Sequence, residues 1–158
     1  TKGKSNNKII VFGEDEEVLP YKLANCCNPI PGDKIFGFTT VEDGIKIHKD
    51  DCPNSIQLLS NYAYRILESS WVDREKIDFI AIINVKGIDR LGLINNITKI
   101  ISSQMNVNMR AININSDDGV FEGDITLFVH NVTVLNTLTE KLKNVDGVTK
   151  IKRIYKHT

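Results

Sequence analysis

Cys26, Cys27, His48 and Cys52 crowd into one stretch of the first half of the chain, with twenty residues between Cys27 and His48 and three between His48 and Cys52. The sequence around them is turn-rich, as in Asn28-Pro29-Ile30-Pro31-Gly32-Asp33, and its periodic runs are short. A core of about 50 residues buries too little apolar surface to offset chain entropy comfortably, so a staple is expected on size alone. An odd count of three Cys, after a polar start Thr1-Lys2-Gly3-Lys4-Ser5 with no apolar signal region, argues against a disulfide framework. It points instead to a metal site or reactive thiols. Three thiols and an imidazole suit one tetrahedral zinc ion, and a closed set of four protein donors leaves no position for a reacting water, so the implied chemistry is structural. The adjacent pair Cys26-Cys27 departs from the usual knuckle, in which two residues separate the first cysteines. The residues alone therefore also admit a second reading. In it Cys26 and Cys27 are buried small hydrophobes or one is an oxidisable thiol, and His48 is a strand-end histidine.

Around these donors, Lys8 to Phe12, Lys34 to Thr40 and Gly44 to His48 read as strands, the last two joined through Glu42-Asp43-Gly44 as a hairpin. The acidic run Glu14-Asp15-Glu16-Glu17 reads as a solvated loop. Pro53 suits a first helical residue, and Ile56, Leu59, Tyr62, Ala63, Ile66 and Leu67 repeat at three and four residues, so a helix is expected from about 53 to 68.

The second half has a regular rhythm. Ile77 to Lys86 reads as a strand apolar on both faces, followed by the loop Gly87-Ile88-Asp89-Arg90 and a helix from about Leu91 to Gln104, with Leu91, Ile94, Ile97, Ile100, Ile101 and Met105 inward. Two strands, Val107 to Asn115 and Val120 to His130, flank Asp117-Asp118-Gly119. A helix over Thr133 to Lys143 with Leu135, Leu138 and Leu142 inward and a strand over Val148 to Tyr155 complete the order βαββαβ. That order closes as a ferredoxin-like antiparallel sheet with both helices on one face. The fold class is thus α+β: a small candidate zinc-binding β-hairpin/helix domain over 1–74, then a ferredoxin-like domain over 75–158, with a composition shift near Trp71 to Glu75.

Ala24 to Phe38, containing Cys26-Cys27-Asn28-Pro29-Ile30-Pro31-Gly32-Asp33, and Gly44 to Asn54, containing His48-Lys49-Asp50-Asp51-Cys52-Pro53, resemble the conserved-cysteine (zinc-finger) domain of long RelA/SpoT proteins. These are the stringent-response synthetases and hydrolases of guanosine tetraphosphate. The resemblance covers about residues 8 to 158 and implies zinc held by Cys26, Cys27, His48 and Cys52. It implies that the second domain is an ACT domain, in line with the βαββαβ order. It implies as well a non-catalytic regulatory fragment, since nothing here resembles the family's catalytic domains. Within the ACT domain, Asp89, Arg90, Leu91, Gly92 and Leu93 resemble the loop that binds an amino acid in metabolic relatives. Gly92 permits close backbone approach, and a helix N-terminus offers N–H groups to a carboxylate. The alternative function is therefore an amino-acid-sensing ACT dimer that takes a branched-chain amino acid at this loop.

Twenty Lys+Arg balance twenty Asp+Glu, so any binding to RNA must be local. The balance hides an asymmetry: residues 1–75 carry nine basic and twelve acidic side chains, and residues 76–158 carry eleven and eight. Lys150, Lys152, Arg153, Lys156 and His157 make the last strand basic, spaced to follow a phosphate backbone or simply to solvate an edge. Lys46, Lys49, Asn54 and Arg65 are exposed candidates for the same contact on the first domain. The resemblance names the partners: the ribosome and its RNA, the N-terminal catalytic domains of the same protein, and a second copy through the ACT sheet. No apolar stretch approaches the roughly 20 residues a membrane span requires, so the chain is expected to be cytoplasmic. A zinc hydrolase would need a metal-bound water, which four protein ligands exclude. His130 reads as an ordinary strand-end residue, and no catalytic triad or carboxylate pair is expected.

Overall fold

The computed structural model describes residues 10–42, 44–72 and 77–155. The chain forms two compact units, Thr1–Lys76 and Ile77–Thr158. Lys8, Ile9, Asp43, Asp73 to Lys76, Lys156 and His157, on which parts of the strand, hairpin, boundary and basic-strand expectations fall, lie outside the described residues.

The first unit is built on a five-stranded sheet in the order β1-β5-β3-β4-β2, where β1 is Ile10–Phe12, β2 Tyr21–Leu23, β3 Ile35–Thr40, β4 Gly44–Lys49 and β5 Ile66–Trp71. Strands β3 and β4 form the expected hairpin from Ile35↔Lys49 to Thr40↔Gly44, with Gly44 supplying φ 72 at the turn. Strand β2, too short to carry a period, runs parallel to β4 and extends the sheet. Ile10, Phe12, Ile30, Phe36, Phe38 and Ile47 form much of its apolar core, together with Cys27 and Cys52.

The helix expected over 53–68 is three elements instead. Helix α1 spans Ser55–Asn61, a 3₁₀ turn spans Ala63–Arg65, and Ile66 and Leu67 open β5, paired to Phe38 and Gly37. The three-and-four spacing ran across an element boundary, and the sheet's need for a strand beside β3 overrode it. The supposed apolar face is outward: Ile56 is 72% exposed, and Leu59 and Tyr62 are also exposed. What ties α1 down is Ser55, fully buried, whose hydroxyl donates to the carbonyls of Asp50 (2.9 Å) and Cys52 (2.7 Å).

The second unit has the expected βαββαβ order: β6 Phe79–Ile88, α2 Leu93–Lys99 continued by a π-turn Ile100–Gln104, β7 Asn108–Asp117, β8 Val120–Val129, α3 Val132–Lys143 and β9 Val148–Ile154. Its sheet runs β7-β8-β6-β9, antiparallel throughout. Asp118 (φ 58) and Gly119 (φ 80) make the tight β7–β8 turn. One face buries Ala81, Ile83, Val85, Ile125 and Leu127 against the helices' Ile97, Ile101, Leu135, Leu138 and Leu142. Leu91 and Ile94, expected inward, are exposed, because α2 starts only after Gly92 and turns Ile97 and Ile101 to the core. The strand expected to be apolar on both faces carries buried Asn84, which donates to Asp124 (2.7 Å) and Glu122 (3.1 Å) across β6 and β8. Among the described residues no helix is long and apolar enough to cross a membrane.

Gly87 sits where β6 shifts register against β9, and a Cβ there would collide with the Gly147 carbonyl, which accepts from Ile88 N–H at 2.8 Å. Gly87→Ala is expected to destabilise the second unit by about 1–3 kcal/mol through this overpacking. Leu138→Ala, which empties a fully buried site, should cost about 2–5 kcal/mol. Urea denaturation followed by circular dichroism measures both.

Candidate metal centre

The four donors reach one another because two turns face across β4. Cys26 and Cys27 lie in the turn that leaves β2, closed by Asn28 N–H to the Ala24 carbonyl (3.1 Å) and tied to β4 by Ala24 N–H to the Ile47 carbonyl (2.9 Å). Asn28 at φ 46 turns the chain away, a conformation Asn tolerates better than most residues. His48 is near the end of β4, and Cys52 follows in a turn held by its N–H to the Lys49 carbonyl (3.1 Å). The imidazole stacks on Phe36, with ring centroids 5.6 Å apart and planes 18° apart, which fixes its plane.

Within this frame Cys26 Sγ lies 3.4 Å from His48 Nδ1, 3.4 Å from Cys52 Sγ and 3.9 Å from Cys27 Sγ. All four donor atoms lie within 4.8 Å of one another. Zinc bonds of about 2.3 Å to sulfur and 2.0–2.1 Å to nitrogen place tetrahedral donors roughly 3.5–3.8 Å apart, so spacing and donor chemistry both fit such an ion. The adjacent cysteines splay enough for both sulfurs to join the cluster. Cys27, Cys52 and His48 are buried, and Cys26 is partly exposed.

Burial pushes the Cys27 thiol far up, against the pull of the Lys49 backbone N–H on its sulfur at 3.3 Å. Burial likewise raises Cys52, opposed by the Asn54 N–H, and lowers His48, with the Lys46 charge adding to the effect. A cation beside Cys27 and Cys52 would offset the burial that opposes their ionisation. Lys49 and Asp33 brace it. Lys49 Nζ lies 3.8 Å from Asp33 and 3.4 Å from Asp51; the Asp33 carboxylate accepts from Ile30 N–H (2.8 Å), and its carbonyl accepts from Trp71 Nε1 (3.0 Å).

Sequence reasoning missed this brace and took Lys49 for an exposed RNA contact, whereas it is buried at 7% exposure. Of the other candidates on the first unit, Asn54 is exposed, Lys46 is half-buried, and the Arg65 guanidinium lies within 6.0 Å of the ring centroids of Phe38, Tyr62 and Tyr64. On β9, Lys150 and Lys152 are exposed and pair in register with Lys86 and Asn84. Arg153 alternates to the opposite face and stacks on Tyr155 at 5.4 Å, so the basic row is Lys86, Lys150 and Lys152. Lys86 belongs to it through sheet register, which composition along β9 could not reveal.

Asp89, Arg90, Leu91, Gly92 and Leu93, with Ile94 and Asn95, line an open cavity of about 450 Å³. Gly92 takes φ 80. The Asp89 carboxylate accepts the Ser116 hydroxyl, Arg90 pairs with Asp146 at 2.7 Å, and Leu93 is buried in the core. The Leu91 side chain is fully exposed, while the Asp89 and Leu93 N–H groups already donate to the Gly119 (2.9 Å) and Arg90 (3.1 Å) carbonyls. His130 bonds the Ile77 carbonyl at 3.1 Å and lies 3.6 Å from Asp78.

Comparison with known proteins follows this division. A family model described as the RelA/SpoT RIS domain matches residues 9–72, and one described as the ACT domain matches residues 75–153. The GTP pyrophosphokinase of Escherichia coli (strain K12) is 31% identical over 156 residues, covering 98% of this chain and 21% of that protein. The bifunctional (p)ppGpp synthase/hydrolase RelA of Mycobacterium tuberculosis is 33% identical over 134 residues, covering 84% and 18%. The chain thus spans about a fifth of the length of these curated relatives. The crystal structure of the ACT domain from the GTP pyrophosphokinase of Chlorobium tepidum shares 40% identity, covers 49% of this chain and all of that one, and gives a TM-score of 0.46.

Two outcomes follow from this centre. Asp33→Ala removes the buried carboxylate that faces buried Lys49 and should cost the first unit about 3 kcal/mol in chemical denaturation. In metal-free protein, His48 resists protonation when folded, so below about pH 6.5 the unfolded chain takes up a proton that the folded chain does not. Stability should fall as pH drops from 7.5 to 5.5, and His48→Gln should flatten that decline.

Proposed function

The chain belongs to the RelA/SpoT family, and from that premise we propose that it is a non-catalytic regulatory region, a zinc-stapled RIS domain followed by an ACT domain, that docks on ribosomal RNA and controls the activity of catalytic domains elsewhere in the same protein. The observation that carries the reading is coverage: two regulatory domains account for residues 9–72 and 75–153. The parent protein would synthesise or hydrolyse (p)ppGpp in the cytoplasm. Docking would hold its enzyme in the active state, and packing of these domains on the rest of the chain or on a second copy would hold it off.

In this reading Cys26, Cys27, His48 and Cys52 hold the ion, whose role is to fix the β2 turn against the end of β4. A closed donor set supplies architecture rather than reactivity. Lys150 and Lys152, with Lys86 beside them, present ammonium groups to phosphates without requiring a particular base sequence. Lys46, Asn54 and Arg65 are secondary contacts on the first unit.

The cavity at Asp89 to Asn95 favours a second reading, an ACT dimer that senses a branched-chain amino acid. The Leu91 and Gly92 N–H groups would take the carboxylate, and the exposed Leu91 side chain would cover the ligand's.

Binding experiments separate the two. Affinity for ribosomal RNA should fall steeply between 50 and 200 mM salt, and Lys86→Ala/Lys150→Ala/Lys152→Ala should lower the salt slope by about one per phosphate contact removed. Calorimetry with valine, leucine and isoleucine should give no saturable heat. Saturable binding with a matching rise in Tm, alongside indifference to RNA, would replace docking by sensing.

A further inference from the structure

The four sulfur and nitrogen donors are not equivalent. Cys27 and Cys52 are 0% and 1% exposed, whereas Cys26 is partly open to solvent. Cys26 Sγ is also closer to Cys52 (3.4 Å) than to Cys27 (3.9 Å). The Cys27 sulfur is further engaged by the Lys49 backbone N–H at 3.3 Å. A disulfide between the adjacent Cys26 and Cys27 would close a strained ring across one peptide bond, while Cys26 and Cys52 approach from separate turns.

We propose that Cys26 and Cys52 form an oxidation site at which a hydroperoxide converts the pair to a disulfide and dismantles the four-donor cluster. The Cys26 thiolate attacks one peroxide oxygen, the O–O bond breaks, and the departing hydroxide takes a proton to become water, leaving Cys26 as a sulfenic acid. The Cys52 thiolate then attacks the Cys26 sulfur, the S–O bond of the sulfenic acid breaks as the S–S bond forms, and the departing hydroxide takes a proton to leave as a second water. Two thiols and one hydrogen peroxide thus give one disulfide and two waters, the sulfurs losing the two electrons that the peroxide gains. Cys27 and His48 remain, two donors where structural zinc takes four. Oxidation therefore exchanges the metal for a covalent link between the same two turns, and the exchange is reversed by a thiol reductant and zinc.

This inference deepens the metal reading of the same cluster, and two readouts keep them separable. The 158-residue chain, purified under reducing conditions without chelator, is treated with hydrogen peroxide. Zinc release is followed with a chromogenic chelator, and disulfides are mapped in non-reducing tryptic digests. Cys26 and Cys27 share the peptide Leu23–Lys34 and Cys52 lies in Asp50–Arg65, so a link to Cys52 gives one cross-linked mass, and single cysteine variants assign it to Cys26 or Cys27. The expected result is stoichiometric release of zinc in step with that mass, restored by dithiothreitol and zinc. The cross-link should persist in Cys27→Ser and disappear in Cys26→Ser. A cross-link formed in protein that never held zinc would support the oxidation site while removing the zinc reading. Zinc release without the cross-link, a link that requires Cys27, or zinc retained after the link forms would overturn the proposal.

Discussion

The first unit depends on one convergence: the turn after β2, carrying Cys26 and Cys27, is brought against the end of β4 and the turn beyond it, carrying His48 and Cys52. Its sheet has five strands, but two of them are three residues long, and its helix leaves apolar side chains outward. Hydrophobic burial in so small a unit leaves little surplus over conformational entropy. A metal bridging the four donors would tie the two turns together at the place where the sheet is least self-supporting. Asp33 links the same elements, its carboxylate accepting from the Ile30 N–H and facing Lys49 while its carbonyl accepts from Trp71, so that β4, β5 and the cysteine turn share one residue with a buried side chain.

The second unit has a different basis. Its strands run up to ten residues, and its two helices bury a continuous apolar layer against one sheet face. Stability of that kind leaves other surfaces free to vary. Lys86, Lys150 and Lys152 gather by register, and the Gly92 loop is left with exposed Leu91 and an open cavity. The proposed division of labour follows: the first unit is held by a removable clamp, and the second is a rigid carrier of binding surfaces.

Strong local signals were legible in the sequence. Asp-Gly turns, the inward leucines of α3 and the alternation of elements led to the β3–β4 hairpin and the βαββαβ order. The cysteine and histidine spacing brought out the four donors that the fold gathers. What failed depended on partners distant in sequence. Ile66 and Leu67 continued a helical spacing but became a strand because β3 offered a sheet edge. Lys49 looked like a surface lysine until the turn at Asp33 brought a carboxylate beside it. Arg153 shared a strand with Lys150 and Lys152, yet sheet alternation put it on the other face.

If the cluster holds one ion, all four donors should bind it directly. X-ray absorption at the zinc edge, combined with metal analysis of protein prepared under reducing conditions without chelator, tests it most directly. The expected result is about one zinc per chain, surrounded by three sulfurs near 2.3 Å and one nitrogen near 2.0–2.1 Å, with no oxygen in the shell. No zinc beside three titratable thiols, or a shell containing a water oxygen, would contradict it.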